Sequence, residues 1–397
     1  MASIRLRGAL LSGVSFLAAS AAMAQESQTD NFVDLGTIEI YGDRSATTLE
    51  QSDASVAVLT EDRLDQPTTQ DVADAFRQIA NASDGDFTES GFVIRGINSE
   101  GLTPGGAGAP LASFYIDGVQ QTIEATRRGT RGLFDAEQIE VYRGPQSTLS
   151  GRNALAGAIY LRTKDPEFAR SGRLQLTYGE NNKIQTGVAY GDKITDNLAF
   201  RVSGEWSQKD SDLNYPSYAQ YPQYGDFSED RYYTIRGKLL WLPTHSEDTK
   251  VQFSYSHSFD SPASNTIAGP NRLPGSGVTY GDRRGDIWGS LTPAQDFLGF
   301  TPIPLFQDVR ETKVDNAGLE ITHNFSENLT LTAFTSYSDS RTDRKSINYG
   351  NNAPIFNPFP FPNSNAWYNV GSFDQRIASQ EVRLNYDTDG LRWVGGL

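Results

Sequence analysis

The sequence predicts a small α+β domain followed by antiparallel strands that cross a membrane as part of a β-barrel. Three observations carry this. The head of the chain has the charge and apolar pattern of an export signal, and no later segment is apolar enough to cross a bilayer as a helix. From Gly172 onward the hydrophobic pattern has period two, with connections that alternate between short and long.

Residues 1–24 are expected to be a signal peptide. Arg5 and Arg7 supply the positive start, Ala9 to Ala22 the apolar stretch, and Ala22-Met23-Ala24 the small-residue cleavage site, so that the mature chain begins at Gln25. A transmembrane anchor fits less well, because Ser12, Gly13 and Ser15 interrupt a run already shorter than the roughly 20 residues a spanning helix needs. An exported chain with no Cys has no disulfide framework, and it offers no thiolate for metal or redox chemistry. A formal charge of −15 argues against phosphate neutralisation, and hence against a nucleic-acid partner. The 18 Tyr, 21 Phe and 5 Trp beside 37 Gly suit strands, tight turns and aromatic interfacial girdles.

Residues 25–50 are polar and lack a core pattern apart from the extended run Thr37-Ile38-Glu39-Ile40-Tyr41, which reads as a flexible arm. Residues 51–168 read as the compact mixed domain. Ser55 to Leu59 is a predicted strand, and Thr69 to Ala80 a predicted helix with Val72, Ala75, Phe76 and Ile79 on one face and Thr68 or Thr69 as cap. Further strands are predicted over Gly91 to Ile97, Ser113 to Asp117, Ile139 to Arg143 and Ala158 to Thr163.

Residues 169–397 alternate. Leu174, Leu176 and Tyr178 share a face, as do Leu198, Phe200, Val202 and Trp206, then Tyr233, Ile235, Leu239 and Trp241, and later runs through Val382, Leu384 and Tyr386. Arg201, Ser203, Glu205, Lys238, Gln252 and Arg383 stand on the opposite faces. A soluble sandwich shows the same alternation with its apolar face inward, so periodicity alone does not choose. Loop length does: Gly191 to Asn197, Pro243 to Thr249 and Ser326 to Asn328 are short, whereas Asp210 to Asp230, Asp260 to Glu311 and Thr342 to Ala378 are long. Short turns at one end and long loops at the other characterise an outer-membrane barrel.

Three motifs in order sharpen the reading: Phe-Val-Ile-Arg-Gly-Ile at 92–97, Phe-Tyr-Ile-Asp-Gly-Val at 114–119, and IEVYRGPQSTLSGRNALAGAIYLRTKDP at 139–166. Together they resemble the plug of TonB-dependent outer-membrane receptors of the iron-complex type. The motif positions are Gly96, Asp117, Gly118, Gly144, Pro145, Gly151, Arg152 and Gly157. Glycines and a proline here punctuate short strands inside a shell. Gly151-Arg152-Asn153 lacks the spacing of a phosphate-binding loop.

The resemblance implies a function and several roles. Arg95 and Arg143 would latch the plug to glutamates on the inner barrel wall, since buried guanidinium groups need partners. Thr37, Ile38, Glu39, Ile40 and Tyr41 sit where the family carries its TonB box, a segment that adds as a strand to a periplasmic partner, although the valine-rich form is absent; the plain alternative is a first plug strand. Outward plug loops at Asn98 to Ala109 and Gln120 to Thr130 would face the ligand, where Arg127, Arg128 and Arg131 either attract an anionic ferric chelate or form a solvated face. The implied partners are TonB with its inner-membrane energising complex, outer-membrane lipid and a ferric siderophore. His245, His257 and His323 have no metal-ligand spacing, and neither a cofactor nor a catalytic constellation is indicated, so an enzyme is not expected. Uptake of cobalamin, haem or an oligosaccharide, a binding module that does not transport, and an inactive remnant are the competing readings.

Size argues that the chain is a fragment. About nine strands spaced ~4.8 Å and tilted ~40° close to a diameter of roughly 18 Å. A plug of about 120 residues is roughly 35 Å across. About 22 strands, the family's number, would give roughly 44 Å. A truncated barrel is therefore expected.

Overall fold

The computed structural model describes residues 38–42, 48–84, 91–99, 110–128, 131–145, 154–210, 229–262, 309–349, 366–388 and 390–397. The signal region, Thr37, Gly151 and Arg152 lie outside them. The description below concerns the unit from Ile38 onward.

The α+β domain is built on a five-stranded sheet of β1 (Val56–Thr60), β5 (Ala112–Ile116), β6 (Val119–Gln120), β7 (Ala136–Arg143) and β8 (Gly157–Thr163). Its spatial order is β1-β7-β8-β5-β6, with β5 and β8 parallel and the other pairs antiparallel. Period two divides β7 between two environments. Ile139 and Val141 join Phe114, Ile116, Ile159 and Leu161 in the core, which the short helices α1 (Glu61–Leu64) and α2 (Val72–Arg77) help to cover through Leu64, Ala75 and Phe76. Gln138, Glu140 and Tyr142 are the alternate residues of β7. A second, three-stranded sheet holds β2 (Ala82–Asp84), β3 (Phe92–Ile94) and β4 (Ile97–Asn98).

Two expectations need correction. The predicted helix begins later: Asp71 caps it by accepting a hydrogen bond from the Asp74 amide at 2.9 Å, while Thr69 gives its hydroxyl to the Arg63 carbonyl. The predicted strand Gly91 to Ile97 is a hairpin, because Arg95 (φ 51°) and Gly96 (φ 80°) form a two-residue turn in the left-handed region. Asp117 (φ 47°) and Gly118 (φ 80°) repeat that turn between β5 and β6.

A nine-stranded antiparallel meander follows. Its strands are β9 (Ser171–Gly179), β10 (Lys183–Thr195), β11 (Leu198–Asp210), β12 (Glu229–Trp241), β13 (Thr249–Ser261), β14 (Val309–Ser326), β15 (Leu329–Tyr349), β16 (Ala366–Thr388) and β17 (Leu391–Gly396). The faces answer the question that periodicity left open. Leu174, Leu176 and Tyr178 are exposed on one face, whereas Ser203, Glu205, Thr234, Arg236, Lys238, Ser258, Thr312, Ser338 and Thr342 are buried on the other, against the α+β domain or one another. Apolar-out and polar-in is the arrangement of a barrel wall. A 13-residue strand tilted ~40° rises roughly 33 Å, enough to cross the hydrocarbon region. The expected long connection Thr342 to Ala378 is shorter than the sequence suggests, since β15 runs on to Tyr349 and β16 starts at Ala366. Among the described residues the edge strands of this sheet are β9 and β17, which do not pair with each other.

Candidate functional site

The functional geometry lies where the α+β domain meets the buried polar face of the nine-stranded sheet. Its centre is the segment Arg131-Gly132-Leu133-Phe134-Asp135, leading into β7. Asp135 sits at φ 66°, which turns its carboxylate toward β11, and Arg201 grips it through Nε at 2.8 Å and through a second, parallel bond. Both side chains are buried, so each compensates the other's charge where water has little access. Arg236 on β12 donates to the carbonyls of Phe134 (2.9 Å) and Gly132 (3.1 Å). Glu205 on β11 accepts from the Phe134 amide at 3.1 Å, from Gln185 at 2.8 Å and from the Tyr232 hydroxyl at 3.2 Å. The Phe134 ring fills the space over Gly187, where an added Cβ would stand 2.4 Å from it.

A second anchor lies nearer the short-turn end. Lys238 of β12, almost fully buried, donates to the Thr163 carbonyl (2.7 Å), to Asp117 (2.9 Å) and to Asp165 (3.0 Å). Asp117 also accepts from the Thr163 amide and hydroxyl, so the left-handed Asp117-Gly118 turn presents one carboxylate to β8 and to the wall at once. Burial pushes the Asp165 carboxyl up, but the Lys238 ammonium and the Arg162 guanidinium outweigh it and hold the group at about 2. Arg173 of β9 pairs with Asp65 at 2.7 Å.

Toward the long-connection end the contacts change character. Arg131 pairs with Asp230 and with Asp260, the latter through Nε at 2.5 Å. Helix α3 (Ile123–Arg128) and the residues before it meet β14–β16 through neutral groups: Gln121 with Asn316 (3.2 Å), Thr122 with Ser340, and the Glu124 amide with Gln375 (3.2 Å).

The arm is docked as well. Ile40 is buried, and the Tyr41 and Gly42 amides donate to the two oxygens of Glu140 at 2.7 and 2.9 Å. Gln138 donates to the Glu39 carbonyl at 2.9 Å, and the Arg162 guanidinium lies 3.8 Å above the Tyr41 ring.

The residues singled out in the sequence are thus only partly brought together. Arg143 donates to the Ala80 carbonyl at 3.2 Å, and the Arg95 guanidinium lies beside Gly144; among the described residues neither pairs with a wall glutamate. Arg127 pairs with Glu124 at 2.8 Å and Arg131 with the wall aspartates, so two of the three clustered cations are already compensated; the Arg128 side chain lies outside the described residues. Sequence reasoning missed Arg236, Asp135 and Asp165, and it named Arg201, Glu205 and Lys238 only as polar-face residues. A usable signal was there. Charges flanked by Ser, Thr and Gly on the inward face of a spanning strand require partners across the seam.

Comparison with known proteins places these features. Residues 48–158 match the family model described as TonB-dependent Receptor Plug Domain. The chain is 29% identical over 195 residues to the ferrioxamine receptor of Yersinia enterocolitica, which covers 48% of this chain and 24% of that one. It is 27% identical over 187 residues to an iron-regulated outer membrane virulence protein of Vibrio cholerae, covering 42% and 27%. In fold it resembles the ferric yersiniabactin uptake receptor FyuA from Yersinia pestis, with a TM-score of 0.64 at 18% identity over 87% of this chain and 48% of that one. The matches span about a quarter of the curated relatives' length and just under half of the solved receptor.

Proposed function

We propose, from the premise that this chain is the plug and adjoining barrel strands of a TonB-dependent outer-membrane receptor, that the whole protein imports a ferric siderophore or similar iron complex. The observation that carries this reading is the plug docked by buried charge pairs on the polar face of a sheet whose other face is apolar and exposed. A plug so held blocks a passage that must be opened by work, and the relatives named for iron complexes supply the substrate class. The protein resides in the Gram-negative outer membrane after Sec-type export and acts as a transporter rather than an enzyme.

In this reading the arm at Thr37 to Tyr41 recruits TonB by adding a strand to it, a mode that relies on backbone hydrogen bonds more than on side-chain identity. TonB and its inner-membrane complex supply the energy. Arg95 and Arg143 keep the role of latches to wall carboxylates of the whole barrel. Arg127 and Arg128 belong to the region near the ligand, whereas Arg131 serves the wall.

Radioiron uptake from ferrioxamine, ferrichrome and catecholate complexes, in a host stripped of its own receptors, tests the proposal. Uptake of at least one complex should require both TonB and residues 37–41. Uptake of cobalamin instead, with no iron complex accepted, would transfer the protein to the vitamin class. Uptake indifferent to TonB would sink the energised mechanism.

A further inference from the structure

Glu140 is a carboxylate with an unusual set of companions. It lies on β7 at 1% exposure, and among the described residues no cation forms an ion pair with it. Its carboxylate is met by three N–H donors: the Tyr41 amide at 2.7 Å, the Gly42 amide at 2.9 Å and the Gln138 side-chain amide at 2.9 Å. Two of these three donors belong to the arm. A buried carboxylate must be neutralised, hydrated or fully hydrogen-bonded. The arm therefore supplies two of the three hydrogen bonds that favour a charge on Glu140 inside the plug.

The fit is tight on both sides of that contact. An added Cβ at Gly42 would stand 2.5 Å from the Tyr142 ring and 2.6 Å from the Tyr160 ring, so only a residue without a side chain brings its amide to Glu140 here. Tyr41 is held from above by the Arg162 guanidinium, and Ile40 is 2% exposed. Tyr41 and Gly42 also line a cavity of about 260 Å³ between plug and wall, whose other sides include Asp117, Arg162, Lys238 and Glu320. The arm thus closes this seam.

We propose that Glu140 is a clamp that stows the arm, and that its hold on the Tyr41 and Gly42 amides competes directly with strand addition by the periplasmic partner. This rests on the reading of Thr37 to Tyr41 as the TonB-recruiting segment. The competition follows from strand geometry. Consecutive amides of an extended chain point to opposite edges, so a partner strand pairing as far as Gly42 needs one of the two amides whichever edge it takes. Recruitment that reaches Gly42 strips Glu140 of at least one donor and uncovers the seam. Burial already pushes the Glu140 carboxyl above its ordinary range, against the pull of the two arm amides, so their loss leaves a group that must take up water or a proton. Release of the arm is thereby transmitted to the central sheet of the plug.

Residues 1–397 contain no Cys, so a reporter thiol at Ile40→Cys is the only thiol in this part of the chain, and any Cys elsewhere in the whole, membrane-extracted protein is first replaced by Ser. Its reaction with a hydrophilic maleimide should be slow in the parent and at least tenfold faster in both Glu140→Gln and Gly42→Ala. The second substitution leaves the carboxylate intact and removes only the fit. Hydrogen-exchange protection at Ile139 to Val141 establishes that each variant keeps its plug; if Glu140→Gln loses it, Gly42→Ala decides alone. Labelling within twofold of the parent in a protected Gly42→Ala variant would overturn the clamp. Binding of the purified periplasmic domain of TonB separates the two readings. Faster labelling with tighter TonB binding supports both, whereas faster labelling with no TonB binding at all leaves the clamp standing and sinks the assignment of the arm.

Discussion

Replacing Lys238 by methionine keeps the length of the side chain and removes the ammonium that joins wall to plug. Breaking a buried ion pair by deleting one partner costs roughly 3–5 kcal/mol, because the remaining charge is left without compensation. The lower end applies here. Asp117 retains the Thr163 amide and hydroxyl, and Asp165 retains Gln252 at 2.7 Å and Arg162. A loss of about 3 kcal/mol raises the equilibrium constant for local opening roughly 150-fold. Native-state hydrogen exchange on the whole protein reads this directly at the amides of Ile116 to Val119 and Leu161 to Lys164. Adding Asp117→Asn should recover about 1 kcal/mol, since it removes one stranded charge and asparagine tolerates the left-handed φ of that turn. A change below about 1 kcal/mol in Lys238→Met, or no recovery in the double variant, would refute the view that this buried charge cluster fastens the plug.

Arg201→Lys should cost about 2 kcal/mol in the same measurement at Ala136 to Gln138, because an ammonium replaces the parallel grip on Asp135 with a single contact. Gly187→Ala should destabilise by about 1–3 kcal/mol through displacement of the Phe134 ring, and Phe134→Leu should relieve part of that cost; equal melting of Gly187→Ala and parent would contradict the packing. Asp165 titrates near 2 in place of 3.8, so its contribution of about 2 kcal/mol is fully present above pH ~4 and disappears as the pH falls through ~2. Plug opening followed from pH 5 to 2 should therefore steepen with acidity in the parent more than in Asp165→Asn.

How much of this was legible beforehand depended on the range of the interaction. The spanning strands announced themselves because each inward polar residue alternates with an outward aliphatic or aromatic one, a signal contained within a few positions. Beyond the lipid that contrast fades, and the ends of β15 and β16, with sequences such as Asp343-Arg344-Lys345-Ser346, look like loop although they are paired strands. Within the plug, the register of hydrophobic residues in α2 was readable, but its start was not: Thr69 resembles a cap until its hydroxyl is seen to serve Arg63. Arg95-Gly96 passed for strand because a left-handed pair leaves no hydrophobic trace, whereas Asp117-Gly118 had the more familiar turn composition. The interface was the least legible part. Periodicity tells which way Arg201 and Lys238 point; it does not tell that Asp135 and Asp117 wait opposite them.

The grip of β9–β13 on the plug has a consequence for assembly. Asp135 and Arg201 are 66 residues apart and Asp117 and Lys238 are 121, so the charged contacts join the plug to the part of the wall that follows it soonest in the chain. Contacts closer in sequence lose less loop entropy on forming, and chains made from the N-terminus acquire their early segments first. The later strands β14–β16 add neutral hydrogen bonds to Gln121, Thr122 and the Glu124 amide. Such an order favours building the wall around a stopper already in place over fitting a stopper into a finished hole.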